Sequence, residues 1–291
     1  MGAVSLAVRR ENLLGEGPVW DARTGRLYWL DIKGRRLEWL CPASGEDGGC
    51  PVESEVSAVA PRACGEGLLA VGGRGVGVLD PETGHFSARL HAEPERTGNR
   101  ANDGNVDVAG RFWFGTMHDG ETERSGGVYR LDADWSCRRV LDGLGISNTL
   151  VCSPDGSRLY VADSLDQTID VLAIDPVTGE AGKRAAFAHT RGQGCAPDGS
   201  AVDEHGFLWN AQWGGGRIVR YAPDGVIERI VEVPVDQPSS CAFGGQDLST
   251  LYITTARWRL GEEALDRQPW AGSLLAFEPG VRGLALPPFA G

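Results

Sequence analysis

TLVCSPDGSRLYVAD, residues 149–163, reads as two strands and the turn between them. TLVC is an apolar, β-prone run, and RLYVAD mixes Leu, Tyr and Val in a second one. SPDG puts Pro, Asp and Gly where a tight turn needs them. The second half of this unit recurs along the chain. GRLYWLD (25–31), GRFWFGT (110–116), GFLWNAQ (206–212) and STLYITT (249–255) match it, with a weaker copy at GEGLLAVG (65–72). Second hairpins lie between them: GRRLEWL, GVGVLDPETG, GGVYRLDAD, QTIDVLAIDPVTGE, GRIVRYAPDG and GSLLAFEPG. The result is four short strands per unit, repeated six times. A period of roughly 40–50 residues with four strands each signals a β-propeller. The expected fold is all-β: a six-bladed β-propeller of four-stranded antiparallel blades, one domain over residues 1–291. Two β-sandwiches would not need a sixfold register.

No window shows helical periodicity, apart from a short candidate helix at EEALDRQ (262–268). AVSLAV (3–8) has no blade of its own, so it is expected to pair with the last blade and close the ring. The 42 glycines and 16 prolines punctuate many short elements. A net charge of −12 makes nucleic acid and anionic membrane poor partners. Cysteines stand at 41, 50, 64, 137, 152, 195 and 241, an odd count without a C-x-x-C pair, which disfavours a zinc knuckle or a disulfide framework. The start, MGAVSLAVRREN, lacks the pattern of a signal peptide, and no apolar run is long enough to span a bilayer. A cytoplasmic monomer is the expectation.

Counting back 11 or 12 residues from the aromatic of each repeat gives Glu16, Asn102, Asn148 and Asp198, with Ser57 or Ala58 and Ser240 in the other two units. The innermost strand of every blade lines the central channel, so these positions should form a ring at one level. Alone, each is a cap on a loop amide. Together, two carboxylates and two carboxamides make a hard-oxygen site for one divalent cation such as Ca²⁺, Mg²⁺ or Mn²⁺.

At these residues the sequence resembles the regucalcin/gluconolactonase family of six-bladed propellers, the senescence-marker-protein family. The likeness runs through LGEGPVWD (14–21), LYWLDIKGRRL (27–37), NRANDGNVDVAGRFWFGTMHDG (99–120), GISN with SPDG (145–156), APDGSAVDEHGFLW (196–209) and PSSCAFGG with LYITTA (238–256). GTMHDGE followed by SGGVYR looks most like the bacterial sugar-lactonase branch, xylonolactonases included. The resemblance implies a metal held by Glu16, Asn148 and Asp198, with Arg100 and Asn102 at the substrate. Its identity stays open among Ca, Zn, Mn, Mg and Fe(II). A substrate-binding Glu found in some members after G-T-M is replaced here by His118-Asp119-Gly120-Glu121, which leaves Asp119 or Glu121 for that role. His118 is a further candidate for sugar hydroxyls.

A lactone is a cyclic ester, and its hydrolysis needs an activated water and a stabilised oxyanion. Asp198 is the candidate general base, or only a ligand. Arg100 suits ring hydroxyls or developing negative charge. The expected activity is metal-dependent hydrolysis of an aldonolactone to the aldonic acid. The rivals are a phosphotriesterase-like hydrolase, a calcium-binding regulatory propeller without turnover, and an interaction propeller without metal. No G-x-S-x-G is present, and GGRGVG (72–77) lies between strand-like runs, so it reads as a hairpin turn.

Overall fold

In the computed structural model, which describes residues 3–73 and 75–291, six four-stranded antiparallel sheets surround one axis. Blade 1 holds Gly15–Asp21, Arg26–Asp31, Arg36–Cys41 and Glu46–Pro51. Blade 2 holds Val56–Pro61, Leu68–Gly72, Gly75–Leu79 and Phe86–Leu90. Blade 3 holds Asn99–Val106, Phe112–His118, Gly126–Leu131 and Cys137–Leu144. Blade 4 holds Ser147–Cys152, Arg158–Asp163, Thr168–Ile174 and Ala181–His189. Blade 5 holds Ala196–Val202, Leu208–Trp213, Arg217–Tyr221 and Ile227–Glu232. Blade 6 takes Pro238–Gly244, Thr250–Thr255 and Leu274–Phe277, and its fourth strand is Ser5–Val8 from the other end of the chain. The expected closure is therefore present, with Leu6 opposite Leu275. The helix Glu262–Arg267 lies in blade 6, where the sequence placed it. No helix among the described residues is long and apolar enough to cross a membrane.

The core is divided among the seams between blades. Strand side chains alternate in direction, so each sheet feeds two seams. In blade 1, Tyr28 and Leu30 pack with blade 2 residues such as Val59 and Leu68, while Leu27 and Trp29 pack with Tyr252 and Leu274 of blade 6. In blade 4, Leu159 and Val161 meet Trp113 of blade 3, and Tyr160 and Ala162 meet Val202 and Leu208 of blade 5. Tyr28, Trp113, Tyr160 and Trp209, the aromatics of the repeat, all point into the seam with the following blade.

Every inner strand carries an irregularity in its pairing with the second strand, at Glu16/Val19, Val56/Ala58, Ala101/Gly104, Asn148/Val151, Pro197/Ser200 and Pro238/Ser240. These bulges re-aim side chains at one level of the axis. At the other end of the inner strands the segment 283–291 runs across the molecule. The Gly283 amide donates to Leu248 O and the Leu284 amide to Val202 O; beyond the axis Phe289 pairs with Pro61 and the Ala290 amide donates to Gly110 O. Leu284–Pro288 and the ends of the inner strands enclose an apolar cavity of about 310 Å³, walled by Val106, Val151, Val202 and Phe243 among others.

Candidate active site

The ring begins with the hairpins that aim it. The Asp ending LYWLD and LYVAD pins the chain just ahead of the inner strand. Asp31 accepts the amides of Leu13 and Leu14, both at 3.0 Å, two residues before Glu16. Asp163 accepts the amides of Gly145 at 2.9 Å and Ile146 at 3.1 Å, two residues before Asn148. In blades 3 and 5 a different aspartate fixes the hairpin turn. The Trp113 indole donates to Asp107 Oδ2 at 2.9 Å, and the Trp209 indole to Asp203 Oδ2 at 3.0 Å.

Register then explains the two counting offsets. The repeat aromatics pair with Val19, Asn105, Val151 and Ala201. Glu16, Asn102, Asn148 and Asp198 each lie three residues before that partner. The hairpins of blades 3 and 5 are one residue shorter, which turns 12 into 11. In blade 2 the same rule selects Ser57, since Leu69 pairs with Ala60. In blade 6 Tyr252 pairs with Ala242, so the position falls on Ser239 and not on the expected Ser240, because that hairpin is one residue longer. Both serines serve the scaffold: Ser57 Oγ donates to Ala101 O at 2.7 Å, and Ser239 Oγ to Gly15 O, each in a neighbouring blade.

The four expected residues do not meet in a single contact. Asn102 and Asn148 are bonded directly, Nδ2 to Oδ1, at 2.9 Å. Asn148 Nδ2 donates to Ser164 Oγ at 2.8 Å, which orients its carboxamide. Glu16 and Asp198 are coupled by charge, and the sequence reading missed their third partner, Asp103. Burial and then Asp103 push the Glu16 carboxyl up to about 8, against the opposing pull of the Gly17 amide and Arg100. Burial raises Asp198 well above the usual carboxylate range, with Glu16 and Asp103 adding to it and the Gly199 amide and Arg100 opposing. Asp103 is itself raised by burial, although amides of Gly104 and Thr149, both at 2.8 Å, donate to it. Its sequence signal is the N-D-G of blade 3, in which counting back from Trp113 selects Asn102 and passes over Asp103.

Arg100 is buried and joins this group to the rim. Its Nη1 donates to Asn102 Oδ1 at 2.8 Å, and its Nε to Asp119 Oδ1 at 2.8 Å. Asp119 is thus brought to Arg100, while more than half of its side chain is exposed. Glu121 faces another way, accepting from Arg259 Nη1 of blade 6 at 2.9 Å. His118 stays within its own loop, with Nδ1 3.3 Å from Thr122 Oγ1 and Nε2 3.7 Å from Glu123 Oε1.

Among the described residues no three His, Cys, Asp or Glu side chains form a ligand cluster by themselves, so carboxamide oxygens would have to complete any shell. The charge balance points the same way. Burial raises all three carboxyls, so they resist ionising together; if all three did ionise, they would carry two negative charges more than the one guanidinium of Arg100 offsets, which a divalent cation would neutralise. Oxygen donors of this kind are the ligands that hard divalent cations take.

The family model described as SMP-30/gluconolactonase/LRE-like region matches residues 14–257. The chain belongs to that family. Among SMP-30/gluconolactonase proteins it is 40% identical to L-arabinolactonase of Azospirillum brasilense, covering 100% of this chain and 96% of the relative. It is 36% identical to 6-deoxy-6-sulfogluconolactonase of Pseudomonas putida, over 98% and 97% of the two chains. A crystal structure of a calcium-binding protein, regucalcin, from Agrobacterium tumefaciens superposes with a TM-score of 0.93 at 30% identity, covering 99% of this chain and 97% of that one.

Proposed function

We propose that this protein is a divalent-cation-dependent sugar lactonase that opens an aldonolactone to the aldonic acid. The observation that carries the reading is a buried arginine beside the carboxylates: the charge of Arg100 acts on Glu16 and Asp198, and its guanidinium is bonded to Asn102, which is bonded in turn to Asn148. Cation storage has no use for a buried guanidinium beside the carboxylates. Ester hydrolysis does, because negative charge develops on the acyl oxygen. The two lactonases named above, alike over the whole chain, support the same substrate class.

Glu16, Asn148 and Asp198 would hold the cation, with Asp103 adding charge behind them. When bound, such an ion polarises a carbonyl and acidifies water. The chain's own groups do the rest. Asp198 accepts the proton of the attacking water. The new bond joins that water oxygen to the acyl carbon, the ring C–O bond breaks, and the proton passes to the released ring oxygen. Arg100 and Asn102 orient the sugar, and Asp119 accepts a hydroxyl hydrogen bond at the rim.

The test is hydrolysis of arabinono-, xylono-, galactono- and gluconolactones by metal-stripped protein with single divalent ions restored, spontaneous opening subtracted. Turnover restored by one ion is expected. Asp198→Ala and Asn148→Ala should each lose cation affinity and at least about a hundredfold in kcat/KM while circular dichroism is unchanged. Cation binding without turnover on any lactone would favour a calcium-binding protein, the description carried by the Agrobacterium structure.

A further inference from the structure

We infer that Lys33 is a positioning residue: it fixes Arg100 through Asp119 and so sets the affinity for substrate. The inference rests on the lactonase reading and concerns the rim of that site. Lys33 lies in the turn between Arg26–Asp31 and Arg36–Cys41 of blade 1. That turn is rigid. Asp31 Oδ1 accepts the Gly34 amide at 2.9 Å, and a Cβ at Gly34 would stand 2.2 Å from Asp31 Oδ2. From this base Lys33 reaches three other blades. Its Nζ donates to Glu55 Oε2, just ahead of blade 2, at 3.1 Å and to Asp119 Oδ1 of blade 3 at 3.0 Å, and it lies 5.8 Å from the ring centre of Trp258 in blade 6.

Asp119 Oδ1 is also the oxygen that Arg100 Nε grips at 2.8 Å. Two cations from different blades therefore converge on one carboxylate oxygen, and Oδ2 takes neither bond. The Lys33 and Arg100 side chains are 15% and 7% exposed, against 54% for Asp119. The anchors are mostly covered and the carboxylate sits on a more exposed loop. An exposed ion pair contributes little to stability, and the same pair contributes much to geometry when it holds a guanidinium at a fixed angle to a substrate. With Lys33 removed, Arg100 is the one remaining cation on the Asp119 carboxylate, and Arg100 loses the second cation that fixes its partner.

Lys33→Met keeps the length of the stem and removes the ammonium, and Lys33→Arg keeps the charge. With the best lactone of the panel, Lys33→Met should raise KM about fivefold to tenfold with kcat and cation affinity each within about twofold of the parent. Lys33→Arg should restore most of KM. A second readout needs no turnover: the Arg100 Nε–H resonance, assigned by its loss in Arg100→Lys. It should shift and exchange faster with water in Lys33→Met and return in Lys33→Arg. An unmoved resonance, or an unchanged KM in an active protein, overturns the inference. If the parent hydrolyses no lactone, the functional reading falls, and the resonance alone decides whether Lys33 positions Arg100.

Discussion

Thr149 shows how much local conformation the site imposes. It is β-branched and fully buried, and its φ is +58°. That region suits glycine and costs other residues roughly 1–2 kcal/mol. Gly17, which follows Glu16 as Thr149 follows Asn148, has a φ of +54° without that cost. Thr149 is held by its neighbours: its amide donates to Asp103 Oδ2 at 2.8 Å, and its hydroxyl reaches Asp198 O and Ser200 Oγ. The hydroxyl thus braces the backbone of Asp198 from the strand of Asn148, two of the residues proposed to hold the cation. Thr149→Ser should keep cation affinity within about twofold, and Thr149→Val should lose about tenfold, as one buried hydrogen bond is worth; calorimetric titration checks both. Glu16 carries a pH signature. Its folded pKa of about 8 lies above the unfolded carboxylate value, so the folded state binds the extra proton between them. Stability of the metal-stripped protein should therefore fall as pH rises from about 4.5 to 8, and Glu16→Gln should flatten that slope in thermal melts. At this scale Glu16, Asn102, Asn148 and Asp198 were legible because the repeat exposes them. Asp103 was not, because two adjacent polar residues in a bulge leave open which one faces the site.

Among elements, the inner hairpins do most of the positioning. Two different solutions serve the same end. Blades 1 and 4 use a long hairpin with an aspartate closing the second strand, and blades 3 and 5 use a shorter one with an aspartate under a tryptophan. The spacing of D-x-x-G before the aromatic marks the short form in VDVAGRFW and VDEHGFLW. The bulges were invisible, because an unpaired residue has no composition of its own. Asp163 gives a test of the pin. It receives the amides of Gly145, Ile146 and Leu165, and truncation strands the buried amide of Gly145 and leaves the part-buried other two without their partner. Asp163→Ala should cost about 2–3 kcal/mol in urea unfolding. Asp155→Ala, in an exposed turn of the same blade, should cost less than about 1 kcal/mol.

For the whole molecule, both chain ends finish the propeller. Residues 5–8 supply the missing strand of blade 6, and deleting them should leave Leu274–Phe277 as an open edge. Light scattering should then show self-association that the full chain lacks. This closure was legible, because AVSLAV is strand-like and lacks a partner nearby. The path of 283–291 was not, since LALPPFAG has no periodicity that tells a strap from a tail. It runs from blades 5 and 6 to blades 2 and 3, over the end of the axis away from Glu16 and Asp198. The central passage is accordingly a well with a floor. A polymer has nowhere to thread, so only a free small ring or the tip of a chain can reach the carboxylates. Whatever leaves must retrace the way it came, and the ring-opened acid competes for the same doorway as the next molecule in.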